Sequence, residues 1–393
     1  MRNTLVRAGA IVALVMPFTA HAQTRVFLVR LGSDTVSIEK VVKAGNKVDG
    51  TLVRHLPLNA VLKYSLTLNA DGSVASYEQG TYRPDGTPVP VNAQTGVSAQ
   101  GLKMTFTADS VIREVSVNGA PVVRRTAVPK GTLPAIGGWY ANELLVAAAR
   151  KDGKANVIGF GVQANAANSP DIRIVGADSA EIVNGGFRVG VKTDRNGQIV
   201  HGDGSLTTQK HNVTVSRDAD VVALASAWAA RDVPGAPATQ TNTSDTVVAN
   251  LGGANVTVLY SRPAKRGREI WGKLVPNDTT WRLGADFATQ LKTDKDLDIG
   301  GTTVAAGTYT LWLIPSATKQ SVLVVNKRIL DPANPQRRLW GTGWDPADDI
   351  AKIPVQAHMN LPVEEERFHL FIDKGMLMMH WDHGGYGVAI KAK

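Results

Sequence analysis

No cysteine occurs anywhere in the 393 residues, so the chain has no disulfide, no thiolate metal site and no cysteine nucleophile. Charged residues are sparse at 20% and aromatics at 6%, yet 43% hydrophobic residues and 38 glycines describe a folded, turn-rich protein and exclude disorder. By length this suggests two domains. Apolar runs long enough to cross a bilayer, about 20 residues, are missing. Lysine-rich runs interleaved with aromatics are missing as well, so the net charge of +9 does not point to nucleic acid. It fits a soluble surface with some affinity for anionic polymers.

What is there begins with an export signal. Arg2 and Arg7 give a positive start, Ala8 to Phe18 is a short apolar run, and Ala20-His21-Ala22 places small residues where a signal peptidase reads. Residues 1–22 therefore read as a signal peptide cleaved before Gln23. The mature chain is expected to be periplasmic or secreted, with no transmembrane segment. Losing Arg2 and Arg7 leaves a net charge of about +7.

Residues 23–232 read as an antiparallel β-rich domain. Apolar and polar positions alternate in Leu62–Asn69, Leu102–Thr107 and Phe187–Lys192, as strands with one wet face require. Asp71-Gly72, Asp85-Gly86, Asn118-Gly119, Asp152-Gly153, Asn184-Gly185, Asn196-Gly197 and Asp203-Gly204 supply the positive φ angles of tight turns. Two helices are expected, near Gly138–Arg150 and Ala219–Arg231, both apolar enough to lie on a sheet. Residues 233–245, with prolines and small polar residues, read as a linker. Residues 246–393 form a second β-rich domain, with strands near 255–260, 308–314, 321–326, 368–372 and 376–381. Leu311-Trp312-Leu313-Ile314 and Val322-Leu323-Val324-Val325 are apolar on both faces, as strands inside a sandwich are.

Several blocks of the second domain occur in a recognisable order: Tyr260-Ser261-Arg262-Pro263, Arg266-Gly267-Arg268, Trp271-Gly272, Trp281-Arg282 with Gly284-Ala285-Asp286, and Ala306-Gly307 with Tyr309-Thr310-Leu311-Trp312. Together they resemble the Domain of Unknown Function 2911 family of exported bacterial proteins. The resemblance implies an extracytoplasmic β-sandwich-like module and no particular reaction. The N-terminal domain loosely resembles the half-barrel of periplasmic lipid and lipoprotein carriers, which implies an apolar concavity. A closed sandwich without a cavity accommodates the same strands. The fold class is thus mainly β, in two antiparallel domains.

Six Lys or Arg stand against two acids between Val256 and Arg282. Guanidinium forks match carboxylates and phosphates and stack on aromatics. Arg262, Arg266, Arg268, Trp281, Arg282 and Asp286 are therefore candidates for holding an anionic small molecule or envelope polymer. The competing expectation is structural, with Arg282 paired to Asp286, the tryptophans in the core and the other arginines pinning loop carbonyls.

Other chemistry is weakly signalled. His380-Trp381-Asp382-His383 with His369 would suit a metal only if a turn followed Trp381, since positions 380 and 383 face opposite sides of a strand. No metal or other cofactor is expected. Thr293–Gly300 imitates a calcium loop with its glycine one position late. Gly159–Ala164 matches a loose dinucleotide fingerprint outside any βαβ unit. Ser261 reads as a loop hydrogen-bonder and Glu364-Glu365-Glu366 as a solvated turn. The expected role is a non-catalytic binding or structural module of the cell envelope. The alternatives are a hydrolase of envelope polymers and a carrier of a lipophilic molecule.

Overall fold

The computed structural model of the protein describes residues 22–55, 59–93, 95–160, 164–184, 187–207, 210–217, 219–230 and 242–393. The expected signal peptide, all but its last residue, and residues 233–241 of the expected linker lie outside them.

Antiparallel alternation in the first half builds a single 13-stranded sheet. Eight strands run as a meander from Gln23–Leu31 to Ala120–Ala127, and five more run from Asp171–Gly176 to Asn212–Ser216. The last of these pairs beside the first strand of the chain, Phe27 opposite Val215. The outer strands, Ala120–Ala127 and Asp171–Gly176, do not pair, so the sheet stays open as a half-barrel does. The turns follow their chemistry: Asn118 (φ 50°) and Gly119 (φ 81°) both take positive φ in the hairpin of Ser110–Val117 with Ala120–Ala127. Asp203-Gly204 departs from expectation and lies inside the strand Ile199–Leu206, because Gly204 packs against the backbone of His211. Asp152-Gly153 also serves differently, as the end of a helix. Gly185 lies outside the described residues.

Helix α1 (Tyr140–Asp152) consists largely of strong helix formers and stops at Gly153, whose φ of 74° is the left-handed cap glycine adopts freely. It lies on one face of the sheet. There Phe27, Tyr64, Met104, Val111, Val191 and Val213 close a core around Val146. Helix α2 (Val221–Ala229) is capped by Asp220, which accepts from Val222 and Ala223 N–H. Its Val221 and Trp228 cover Val26, Ile38, Val53 and Val61 on the other face.

The second half forms a sandwich of two six-stranded antiparallel sheets. One contains Thr243–Leu251, Ala254–Arg262, Thr289–Thr293, Gly307–Ile314, Val322–Asn326 and Asp349–Pro354. The other contains Leu297–Ile299, Thr302–Val304, Gln356–Met359, Glu365–Asp373, Met376–Asp382 and Gly384–Ala392. Strands apolar on both faces fill two cores. Leu311, Leu313, Leu323 and Val325 face the opposing sheet, and Trp312 and Val324 face a smaller cluster with Leu339. The first strand starts at Thr243, inside the segment read as a linker, because Thr243–Asp245 complete a ladder with Tyr260–Arg262.

Candidate functional site

Between α1 and the strands Asp171–Gly176 and Ser179–Asn184 lies a cleft of about 600 Å³. Leu133, Ile136, Leu144, Leu145, Val157 and Ile182 give it an apolar wall, and Asn142, Asn168 and Asp171 stand among the lining residues as polar groups. Such a volume and mixture suit a small apolar ligand oriented by a few polar contacts. A smaller recess of about 290 Å³ on the same helix is lined by Gly138, Trp139 and His211, the last with its imidazole pushed toward the neutral form by burial.

One wall of the cleft, α1, is held at its N-terminus by a group from elsewhere in the chain. Its N-cap position is Trp139, which has no capping oxygen. The Glu39 carboxylate takes that role: Oε2 accepts from Trp139 N–H and, at 3.0 Å, from Tyr140 N–H, while Oε1 accepts from Tyr64 Oη at 2.6 Å. A carboxylate there meets both the unpaired N–H groups and the positive end of the helix dipole. Glu39 is fully buried, and desolvation raises its pKa even though these hydrogen bonds and Arg54 oppose the rise. Gly138 leaves room for it, since a Cβ would fall 2.1 Å from Glu39 Oε1. One turn on, Glu143 pairs with Arg25 and accepts from Ile199 N–H at 2.7 Å, fastening the helix to two strands. The sequence carries a signal for Glu39: a carboxylate two positions before Val41 in a buried strand, and a helix preceded by Gly138-Trp139 with no Ser, Thr, Asp or Asn at its N-cap position.

The arginines of the second domain are placed as follows. Arg262 donates to Asp245 Oδ2 and to the Phe368 carbonyl, both at 3.2 Å. Arg268 donates to the Lys265 carbonyl (2.9 Å) and the Ala264 carbonyl (2.6 Å). Arg266 reaches the first domain: its Nε donates to Asp34 Oδ2 at 2.8 Å and its carbonyl accepts from Ser33 N–H at 2.8 Å. Arg282 is shielded, with Nε buried and unpartnered and Nη1 3.5 Å from the Gly341 carbonyl. The Asp286 carboxylate accepts from Asn242 Nδ2 at 3.1 Å and makes no ion pair with Arg282. Trp281 is packed between Trp271, Phe368 and Trp381, with its indole N–H on the Gly284 carbonyl at 3.2 Å. These candidates share one end of the sandwich. Lys210 of the first domain comes near them, its pKa lowered by burial and by the charges of Arg282 and Arg268.

The histidine set divides. His369 and His380 are cross-strand partners. His383 turns away to the Leu361 carbonyl, 2.9 Å from Nδ1. Asp382 is taken by Lys265, which bridges it to Glu364 at 2.7 Å on each side. The acids read as a solvated turn are thus partly engaged, and Glu365 and Glu366 open the strand Glu365–Asp373. Sequence reasoning missed His358, which lies across Gly385 from His380. In the calcium-loop imitation Asp298 instead caps a hairpin through Gly301 N–H at 2.8 Å.

Among the described residues no helix is long and apolar enough to cross a membrane. No curated protein matches the chain. Two solved structures show distant likeness. A β-barrel-like protein of domain of unknown function DUF1849 from Brucella abortus is 10% identical, with TM-score 0.28, over 50% of this chain and 94% of its own. A putative AttH from Nitrosomonas europaea is 11% identical, with TM-score 0.12, over 99% and 98%. At these scores neither defines the fold, which rests on the sheets themselves. The C-terminal sandwich carries the pattern of the family described as protein of unknown function (DUF2911), which matches residues 242–390.

Proposed function

We propose that the chain is an exported, non-catalytic binding protein of the cell envelope whose N-terminal half-barrel shelters a lipophilic ligand beneath α1. The apolar cleft of about 600 Å³ carries this reading. An acyl chain buried there would leave water at roughly 0.8 kcal/mol per CH₂, and Asn142, Asn168 and Asp171 offer polar contacts to a headgroup. The C-terminal sandwich docks on the half-barrel. Arg266 ties it to the Gly32-Ser33-Asp34 turn, where Gly32 (φ +62°) allows a backbone approach that a Cβ, 2.2 Å from the Arg266 carbonyl oxygen, would block.

Titration of the purified protein with a fluorescent fatty acid tests it. Leu145→Glu places an unpaired carboxylate on the apolar wall and is expected to weaken binding at least about tenfold, since burying a lone charge is costly. Equal affinity of the folded variant and the wild type refutes the assignment.

A further inference from the structure

The outer face of the second sandwich sheet holds a cluster unrelated to the cleft. Along Met376–Asp382, Leu377, Met379 and Trp381 enter the core, which turns Met378 and His380 outward. His358 pairs with Gly385, Gly385 with His380, and His380 with His369, forming one row across four strands. The glycine removes the side chain that would separate the first two imidazoles. A Cβ on Gly385 would lie 2.6 Å from His380 Cδ2, so that ring leans over the gap. A Cβ on Gly387, two residues along, would lie 2.8 Å from Met378 Sδ and 3.0 Å from His358 Nε2. A thioether and an imidazole therefore face one small volume over a glycine floor.

Two further facts point to a ligand. The Nε2 atoms of His358 and His380 are both buried and neither has a hydrogen-bond partner, a costly state for a ring nitrogen with nothing to bind. The His380 ring is also restrained, packing edge-on against Phe371 at 5.1 Å. Among the described residues no three His, Cys, Asp or Glu side chains gather for a metal. The donors available over the glycines are two imidazoles and one thioether.

We propose that His358 Nε2, Met378 Sδ and His380 Nε2 bind a soft monovalent metal ion of the Cu(I) class. Thioether sulfur is a soft donor that selects Cu(I), whereas Zn(II) sites draw on thiolate, imidazole and carboxylate. Gly385 and Gly387 place no side chain between the three donors. His369 lies on the far side of His380 from His358 and stays outside the donor set.

The test is anaerobic competition of the purified protein for Cu(I) against a chromophoric chelator, with X-ray absorption at the copper edge. One equivalent retained, with nitrogen and sulfur scatterers, is the expected result. Met378→Leu, close in volume, should remove the sulfur scatterer and weaken binding at least about tenfold, the scale on which metal sites respond to altered shells. His358→Asn with His380→Asn should abolish it, and His383→Asn should leave it unchanged. Failure of the folded wild type to retain Cu(I), a sulfur-free spectrum, or retention by the double variant overturns the proposal. Should the double variant fail to fold, the Met378→Leu spectrum decides.

Discussion

Removing the Glu39 carboxylate should unseat α1 and collapse the cleft. In Glu39→Ala the N–H groups of Trp139 and Tyr140 lose their acceptor in a site buried from water, and so does the Tyr64 hydroxyl. Each buried donor left unmet costs about 1–3 kcal/mol. Partial rescue by entering water brings the total to about 3–5 kcal/mol, well above the roughly 1 kcal/mol of an exposed cap. Urea denaturation followed by circular dichroism reads this as a lower midpoint with little change in slope. Glu39→Gln keeps an acceptor for the two N–H groups but turns its amide toward Tyr64 Oη and leaves the hydroxyl hydrogen unmet, so it should cost about 1–3 kcal/mol, less than Glu39→Ala. The two variants also separate by pH. Burial raises the Glu39 pKa, so this group's stabilisation is complete below the ordinary carboxylate range and is lost as pH rises through the folded value. Glu39→Gln should therefore gain on the wild type as pH is raised from about 4 to 8. A loss below about 1 kcal/mol in Glu39→Ala would refute the assignment of Glu39 as the cap.

Three further outcomes follow from the packing. At the junction of the halves, Asp34→Ala removes a partly exposed ion pair and should shift stability by no more than about 1 kcal/mol. Gly32→Ala, strained at φ +62° and driven against the Arg266 carbonyl, should cost more than Asp34→Ala in the same thermal melt. Trp281→Ala opens the aromatic cluster with Trp271, Phe368 and Trp381 and should lose about 3–5 kcal/mol, checked by chemical denaturation. A loss under about 1 kcal/mol would mean that the ring is not part of the core.

Some of this was legible in the residue order because it depends on neighbours along the chain. Alternation set the strands Ala60–Leu68 and Leu102–Phe106 within a residue or two, and strands apolar on both sides announced the sandwich. Both helices stood close to where their composition put them, at Tyr140–Asp152 and Val221–Ala229. The blocks around Arg262, Trp281 and Trp312 were enough to point to the family model that matches residues 242–390.

Partner choice was not legible, since it is settled between residues far apart in sequence. Arg266 meets Asp34 from 232 positions away, and Glu39 caps a helix that starts 101 positions later. His380 and His383, only three positions apart in sequence, separate because Asp382 is drawn to Lys265 and His383 to the Leu361 carbonyl. His380 is instead brought beside His358 by strand register. Residue order determined that this protein is built from antiparallel sheets, because side-chain direction in a strand is local and has period two. Only the tertiary structure decided that one sheet curls around α1 to leave an apolar cleft, and that two glycines clear a floor for His358, Met378 and His380. Cavities and donor sets are made by strands meeting in space, and a one-dimensional pattern does not encode which strands meet.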